Sequence, residues 1–208
     1  LAQKHSSRNR GNHSKIRSEV GMNNLTIRQI ENATSLADFH CGIKAMDDFI
    51  HSGLEDSIRN HYCNTYSVHL GSELVAMFAL SFDSLELDSD SLEEMAEGIN
   101  TANKPDLSRN YVDTFLSKHH YPALEIAYLA VEEKHRSKGI GTAIVNAIAD
   151  MAQRQKTAGC MFLTVEAYIE GGYSAVPFYY KCQFEPCEFK KPNKETLRMF
   201  RALYPKNE

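Results

Sequence analysis

Residues 121–144 read YPALEIAYLAVEEKHRSKGIGTAI, and this stretch decides the fold. Tyr121 to Val131 is apolar at nearly every position, which predicts a strand covered on both faces. Glu132-Glu133-Lys134-His135 is a short polar link. From Gly139 to Gln155 the residues Ile140, Ile144, Ile148 and Met151 form one apolar stripe at helical spacing. A buried strand is therefore handed to an amphipathic helix through Arg136-Ser137-Lys138-Gly139-Ile140-Gly141.

That turn has the makings of an anion site. Glycine lets backbone N–H groups approach a phosphate closely and adopt positive φ. A helix N-terminus adds unpaired N–H groups and the positive end of a dipole. Arg136 and Lys138 add charge. Two nucleotide-binding loops are excluded. A Walker A loop needs G-x-x-x-x-G-K-S/T, which is absent. A dinucleotide fingerprint needs a small residue where Ile144 stands, a tighter turn than Val131 to Gly139 provides, and a later acidic residue that is missing.

Outward from this core, Leu25 to Ile30 alternates as a first strand, and Asn32-Ala33-Thr34 starts a helix. Met46, Phe49, Ile50 and Leu54 predict one amphipathic helix over 43–59. Tyr62 to Leu70 and Glu73 to Leu87 read as two strands joined at Leu70-Gly71-Ser72. Residues 88–121 read as an insertion, with a capping box at Ser91-Leu92-Glu93-Glu94 and a further helix starting at Pro105. After the glycines come a buried strand from Cys160 to Ala167 and a short helix from Ser174 to Lys181. Two more strands follow, near 184–189 and 196–203. The sum is a mixed α/β domain with at least six strands and about four helices.

The chain has 208 residues and a formal net charge of -4, so bulk basicity does not point to nucleic acid. Residues 1–21 carry Lys4, Arg8, Arg10, Lys15 and Arg17 against Glu19 alone, and few large apolar groups. That composition predicts a disordered basic leader or expression-derived segment ahead of a single domain over 22–208. The five cysteines show no C-x-x-C pattern, no H-E-x-x-H occurs, and no metal site is expected. No apolar run is long enough for a membrane helix. These features predict a reduced, cytoplasmic protein with no membrane partner.

The chain resembles the GNAT superfamily of acyl-CoA N-acetyltransferases. The family's R/Q-x-x-G-x-G/A motif is matched by Arg136, Gly139 and Gly141, and the preceding L-x-V by Leu129-Ala130-Val131. The later A-x-x-F-Y-x-K-x-G-F is matched by Ala175, Phe178, Tyr179, Lys181 and Phe184, with Gln183 in place of the usual glycine. Gly172 stands where many members have asparagine. Phe39-His40-Cys41-Gly42 with Asp47-Asp48-Phe49-Ile50, and Pro122, are similar to the branch of toxin acetyltransferases from bacterial toxin–antitoxin pairs.

The resemblance implies a mostly antiparallel sheet of six to seven strands whose fourth and fifth strands splay apart, flanked by about four helices. It implies acetyl-CoA as acyl donor, held by Leu129, Ala130 and Val131 on the strand and by Arg136, Ser137, Lys138, Gly139, Ile140, Gly141 and Thr142 in the turn. Tyr179 is implied as the acid facing the CoA sulfur, with Tyr180 as fallback. Glu125 stands out on its own, because a carboxylate inside an apolar strand needs a partner or a raised pKa. Histone-acetylating members place their general base at this spacing, while toxin-type members have an apolar residue. His119 and His120 read as solvated, and Cys182 as packing.

The expected reaction is acetyl transfer to a primary amine, small or peptidic. Aminoacyl-tRNA is the acceptor in the toxin reading, with an antitoxin as partner. The family also admits a homodimer. The acidic stretch Asp88 to Glu97 suits a cationic acceptor. A non-catalytic acyl-CoA-binding regulatory module is the reading from another class.

Overall fold

The computed structural model describes residues 25–87, 90, 92–93, 109–187 and 195–203. The basic segment 1–21, most of the capping box at 91–94, Pro105 and most of the acidic stretch 88–97 lie outside the described residues.

The strands are β1 (Leu25–Ile30), β2 (Asn64–Leu70), β3 (Glu73–Glu86), β4 (His120–Val131), β5 (Phe162–Glu170), β6 (Tyr173–Ser174), β7 (Glu185–Pro186) and β8 (Thr196–Ala202). The helices are α1 (Lys44–Ser52), α2 (Leu54–Arg59), α3 (Arg109–Leu116), α4 (Ile140–Arg154) and α5 (Val176–Lys181), with 3-10 turns at Ala33–Leu36 and Glu133–His135. The sheet runs β1-β2-β3-β4-β5-β8-β7, with β6 paired to β5. Every pairing is antiparallel except β4 with β5, which α4 connects as a crossover. The strand expected near 184–189 is the two-residue β7, and the two-residue β6 is the addition to the expected strands.

Two features of β4 shape the centre. It pairs with β5 only from Ala123 to Glu125, opposite Phe162 to Thr164, and the strands then part. It also bulges against β3, where Ala79 faces Tyr128 and Leu80 faces Ile126, leaving Ala127 as the extra residue. Ile126 therefore packs with Ile140, Ile144 and Ile148 of α4, while Ala130 and Tyr128 pack with Ile50 and Leu54 of α1 and α2. Both faces of β4 are covered, as its apolar run predicts. A third cluster joins Leu92 and Phe115 of the insertion to Tyr121, Phe162 and Phe200.

The helix expected over 43–59 is two helices. Gly53 breaks it, and a Cβ there would lie 2.9 Å from Phe49 Cδ2. The first helix expected near Asn32 is a 3-10 turn, with the Asn32 side chain accepting from the Thr34 amide at 3.2 Å. Among the described residues no helix is long and apolar enough to cross a membrane.

Candidate acyl-donor site

The gap left by the parting strands is a cavity of about 470 Å³. Ile126 to Val131 form one wall, and Val165, Glu166 and Tyr168 of β5 form the opposite one. Its floor is the start of α4 and the turn before it, and its far side is Tyr173, Phe178, Tyr179 and Lys181. Cys41, Ile43 and Met46 close the front. A strand that loses its neighbour keeps unpaired N–H and C=O groups along that edge, which a pantetheine-like amide chain would satisfy.

The turn before α4 is a backbone nest. Ser137 and Gly139 both take positive φ, 60° and 81°, which turns successive N–H groups to one side. α4 has no side-chain cap and no acid in its first turn, so its first amides stay open to an anion. Gly141 allows close packing at the start of α4. A Cβ on it would lie 3.0 Å from Cε2 of Phe178, so α5 packs directly on the cradle.

Ten residues named from the sequence for the donor meet here: Leu129, Ala130, Val131, Arg136, Ser137, Gly139, Ile140, Gly141, Thr142 and Tyr179 all line the cavity. Lys138 is exposed and does not line it. Arg136 lines it, yet its Nη2 donates to the Cys41 carbonyl, so part of its guanidinium ties the cradle to the front loop. Asp47 in turn accepts from the Cys41 and Gly42 amides at 2.7 and 3.0 Å.

Tyr179 is 5% exposed, and burial pushes its phenol well above the ordinary tyrosine range. It therefore stays protonated through the neutral range, with a hydroxyl that can donate or accept a hydrogen bond. Tyr180 is 51% exposed and does not line the cavity. Cys182 is buried, its thiol pushed up by burial, in keeping with packing.

Glu125 does not line the cavity. It is the last residue of β4 paired with β5, and it accepts from Ser81 Oγ at 2.8 Å. Its Oε1 lies 3.6 Å from Arg198 Nη1. Arg198, itself buried, also reaches Glu166 at 3.5 Å and pairs with Asp83, so one guanidinium gathers three carboxylates beneath the gap. Of these, Glu166 reaches the cavity wall. Sequence reading missed Glu166, though the signal is the one that singled out Glu125: a carboxylate within a buried strand, here Phe162 to Ala167.

Residues 109–186 match the family described as the acetyltransferase (GNAT) domain. The fold is similar to that of a bacterial toxin, at 16% identity and a TM-score of 0.57 over 86% of this chain and 90% of that one. It is similar to a tyrosine-to-phenylalanine mutant of the toxin AtaT bound to the C-terminus of the antitoxin AtaR and acetyl-CoA, at 17% identity and 0.55 over 86% and 94%. It is also similar to AtaT complexed with acetyl-methionyl-tRNAfMet, at 19% identity and 0.55 over 84% and 93%. No curated protein matches the sequence. The splayed sheet and the nest agree with the match over residues 109–186.

Proposed function

We propose that this protein transfers acetyl from acetyl-CoA directly to a primary amine. The observation that carries the reading is the continuous cavity running from the nest at Ser137–Gly139, along the freed edge of β4, to Tyr179. The nest and the first turn of α4 would hold the pyrophosphate, and Leu129 to Val131 the pantetheine amides. The amine nitrogen bonds to the thioester carbon, the C–S bond breaks, and Tyr179 donates its proton to the departing sulfur. The amine must lose a proton before or during attack. The carboxylate group of Glu166 and Glu125 receives it, with Glu166 at the wall and Glu125 behind it. Unpaired N–H groups on β4 are positioned to stabilise the oxyanion.

The test is thiol release from acetyl-CoA with a panel of amines. Amine-stimulated release supports transfer. Acetyl-CoA binding without it supports a regulatory module and overturns the enzymatic reading.

A second acceptor, aminoacyl-tRNA, is favoured by the likeness to AtaT held with acetyl-methionyl-tRNAfMet. It would bring an antitoxin as partner, as AtaR is for AtaT. The net charge of -4 weighs against it, because tRNA binding draws on basic surface. Acetylation of charged tRNA, with arrest of translation on expression, is the outcome that would select it. The cytoplasm suits either acceptor, and all five cysteines are free thiols, as a reducing compartment requires.

A further inference from the structure

We propose that Glu73, Glu132 and His135 form a binding site for one divalent transition-metal ion with zinc-like preferences, beside the donor cradle. Glu73 opens β3, Glu132 follows β4, and His135 ends the 3-10 turn. The β3–β4 pairing brings them together, extended by the Glu132 amide donating to the Val75 carbonyl at 2.9 Å.

Two of the three donors are buried and unspent. His135 is 9% exposed. Its Nε2 and the Glu132 Oε2 are both shut off from solvent without a hydrogen-bond partner. Nε2 lies 3.2 Å from Glu73 Oε1 and 3.7 Å from Glu132 Oε2, without the alignment of a hydrogen bond to either. With metal–ligand bonds of about 2.0–2.2 Å, tetrahedral ligands stand roughly 3.3–3.6 Å apart. The two nitrogen–oxygen distances, 3.2 and 3.7 Å, stand on either side of that spacing, and all three donor atoms lie within 4.8 Å of one another. One imidazole nitrogen and two carboxylates suit zinc or a neighbouring first-row ion, whereas calcium and magnesium favour all-oxygen shells.

Lys134 is the competitor. Its Nζ sits 2.8 Å from Glu73 Oε1 and 3.3 Å from Glu132 Oε1, and its side chain is 59% exposed, so it can swing away as a cation enters. An ion-pair cluster would account for Lys134 and for the approach of His135 Nε2 to Glu73, but it leaves that buried Nε2 and Glu132 Oε2 without a hydrogen-bond partner. His135 and Arg136 both line the donor cavity, so an ion here would pin the start of β3 to the link entering the nest. The missing C-x-x-C and H-E-x-x-H patterns could not show this site, because Glu73 is remote in sequence from the other two.

The experiment titrates the full chain, stripped with chelator, with ZnCl2 alone by calorimetry and with CoCl2 alone by visible absorption. Neither reading involves turnover, so failure here leaves the acyltransferase reading untouched. The expected result is one equivalent bound. Affinity should fall at least about tenfold in Glu73→Gln, since even outer-shell changes cost that much, and rise in Lys134→Met. Glu73 and Lys134 are on the surface, so these variants keep the fold. The cobalt spectrum should show d–d bands without sulfur charge transfer. Absence of saturable zinc binding overturns the proposal. So does binding that Glu73→Gln and His135→Gln leave unchanged, or a cobalt–thiolate spectrum.

Discussion

Phe184 stands edge-on to Tyr179, with ring centroids 5.3 Å apart and planes at 67°. The contact completes a Schellman motif at the end of α5. The Phe184 amide donates to the Tyr179 carbonyl and the Gln183 amide to the Tyr180 carbonyl, both at 3.0 Å. The stretch from Phe178 to Phe184 is thus a helix stop that fixes the Tyr179 ring.

Gln183 occupies the left-handed position of that stop, at φ 67°, where the family's glycine would sit. A non-glycine residue there costs roughly 1–2 kcal/mol, against roughly 0.5–1 kcal/mol of extra chain entropy for glycine. Gln183→Gly should raise stability by up to about 1 kcal/mol, seen as a higher Tm with acetyl-CoA affinity unchanged. A clear drop in Tm would show that the Gln183 side chain outweighs the backbone cost.

Tyr179→Phe keeps the ring contacts and removes the proton donor. Turnover should fall by about 10²-fold or more, the usual scale for a positioned acid, while acetyl-CoA affinity and Tm stay close to the parent. Phe184→Ala should do the reverse in kind, lowering Tm by unlocking the helix stop. Equal turnover in Tyr179→Phe would remove the acid role.

Asp47→Ala frees the Cys41 and Gly42 amides, and with them the carbonyl that anchors Arg136. Burial works to raise the Asp47 carboxyl pKa, but the amide hydrogen bonds outweigh it, and the net shift is downward. A group depressed on folding stabilises above its unfolded pKa, near 3.9, and that gain is lost as pH falls through the folded value. The variant should be about 1 kcal/mol less stable at neutral pH. Denaturant unfolding should show the gap closing below about pH 4, and KM for acetyl-CoA should rise.

Gly141→Ala places a methyl against the Phe178 ring edge, with contacts at 3.0 and 3.1 Å. The helix gains roughly 0.8–1 kcal/mol from alanine, so Tm should change little. The Phe178 ring must give by a few tenths of an ångström, and the motif admits alanine here, so acetyl-CoA binding should weaken only slightly. Gly139→Ala differs. Its Cβ meets nothing within 4 Å, but φ is 81°, so it should cost about 1–2 kcal/mol of stability. Calorimetric affinity beside Tm separates the two effects.

The carboxylates show how far the sequence reaches. Glu125 was conspicuous because an acid in an apolar strand must be compensated. Its compensation, Ser81 and Arg198, comes from strands β3 and β8, and Glu166 rather than Glu125 reaches the cavity. Asp47 is a parallel case. The motif from Phe39 to Ile50 was recognisable as a pattern, and its reason, a carboxylate holding two amides and through them Arg136, is visible only in the fold.

Residues 121–144 by themselves determined the strand, the helix stripe and the glycine turn, because side-chain period and backbone freedom are local properties. The apolar run also announced that β4 is covered on both faces. Only the tertiary structure decided where that strand leaves its partner. The bulge at Ala127 and the parting of β4 from β5 after Glu125 depend on partners far along the chain. Those two events turn a glycine turn that could cradle an anion into one end of the cavity proposed to hold the acyl donor.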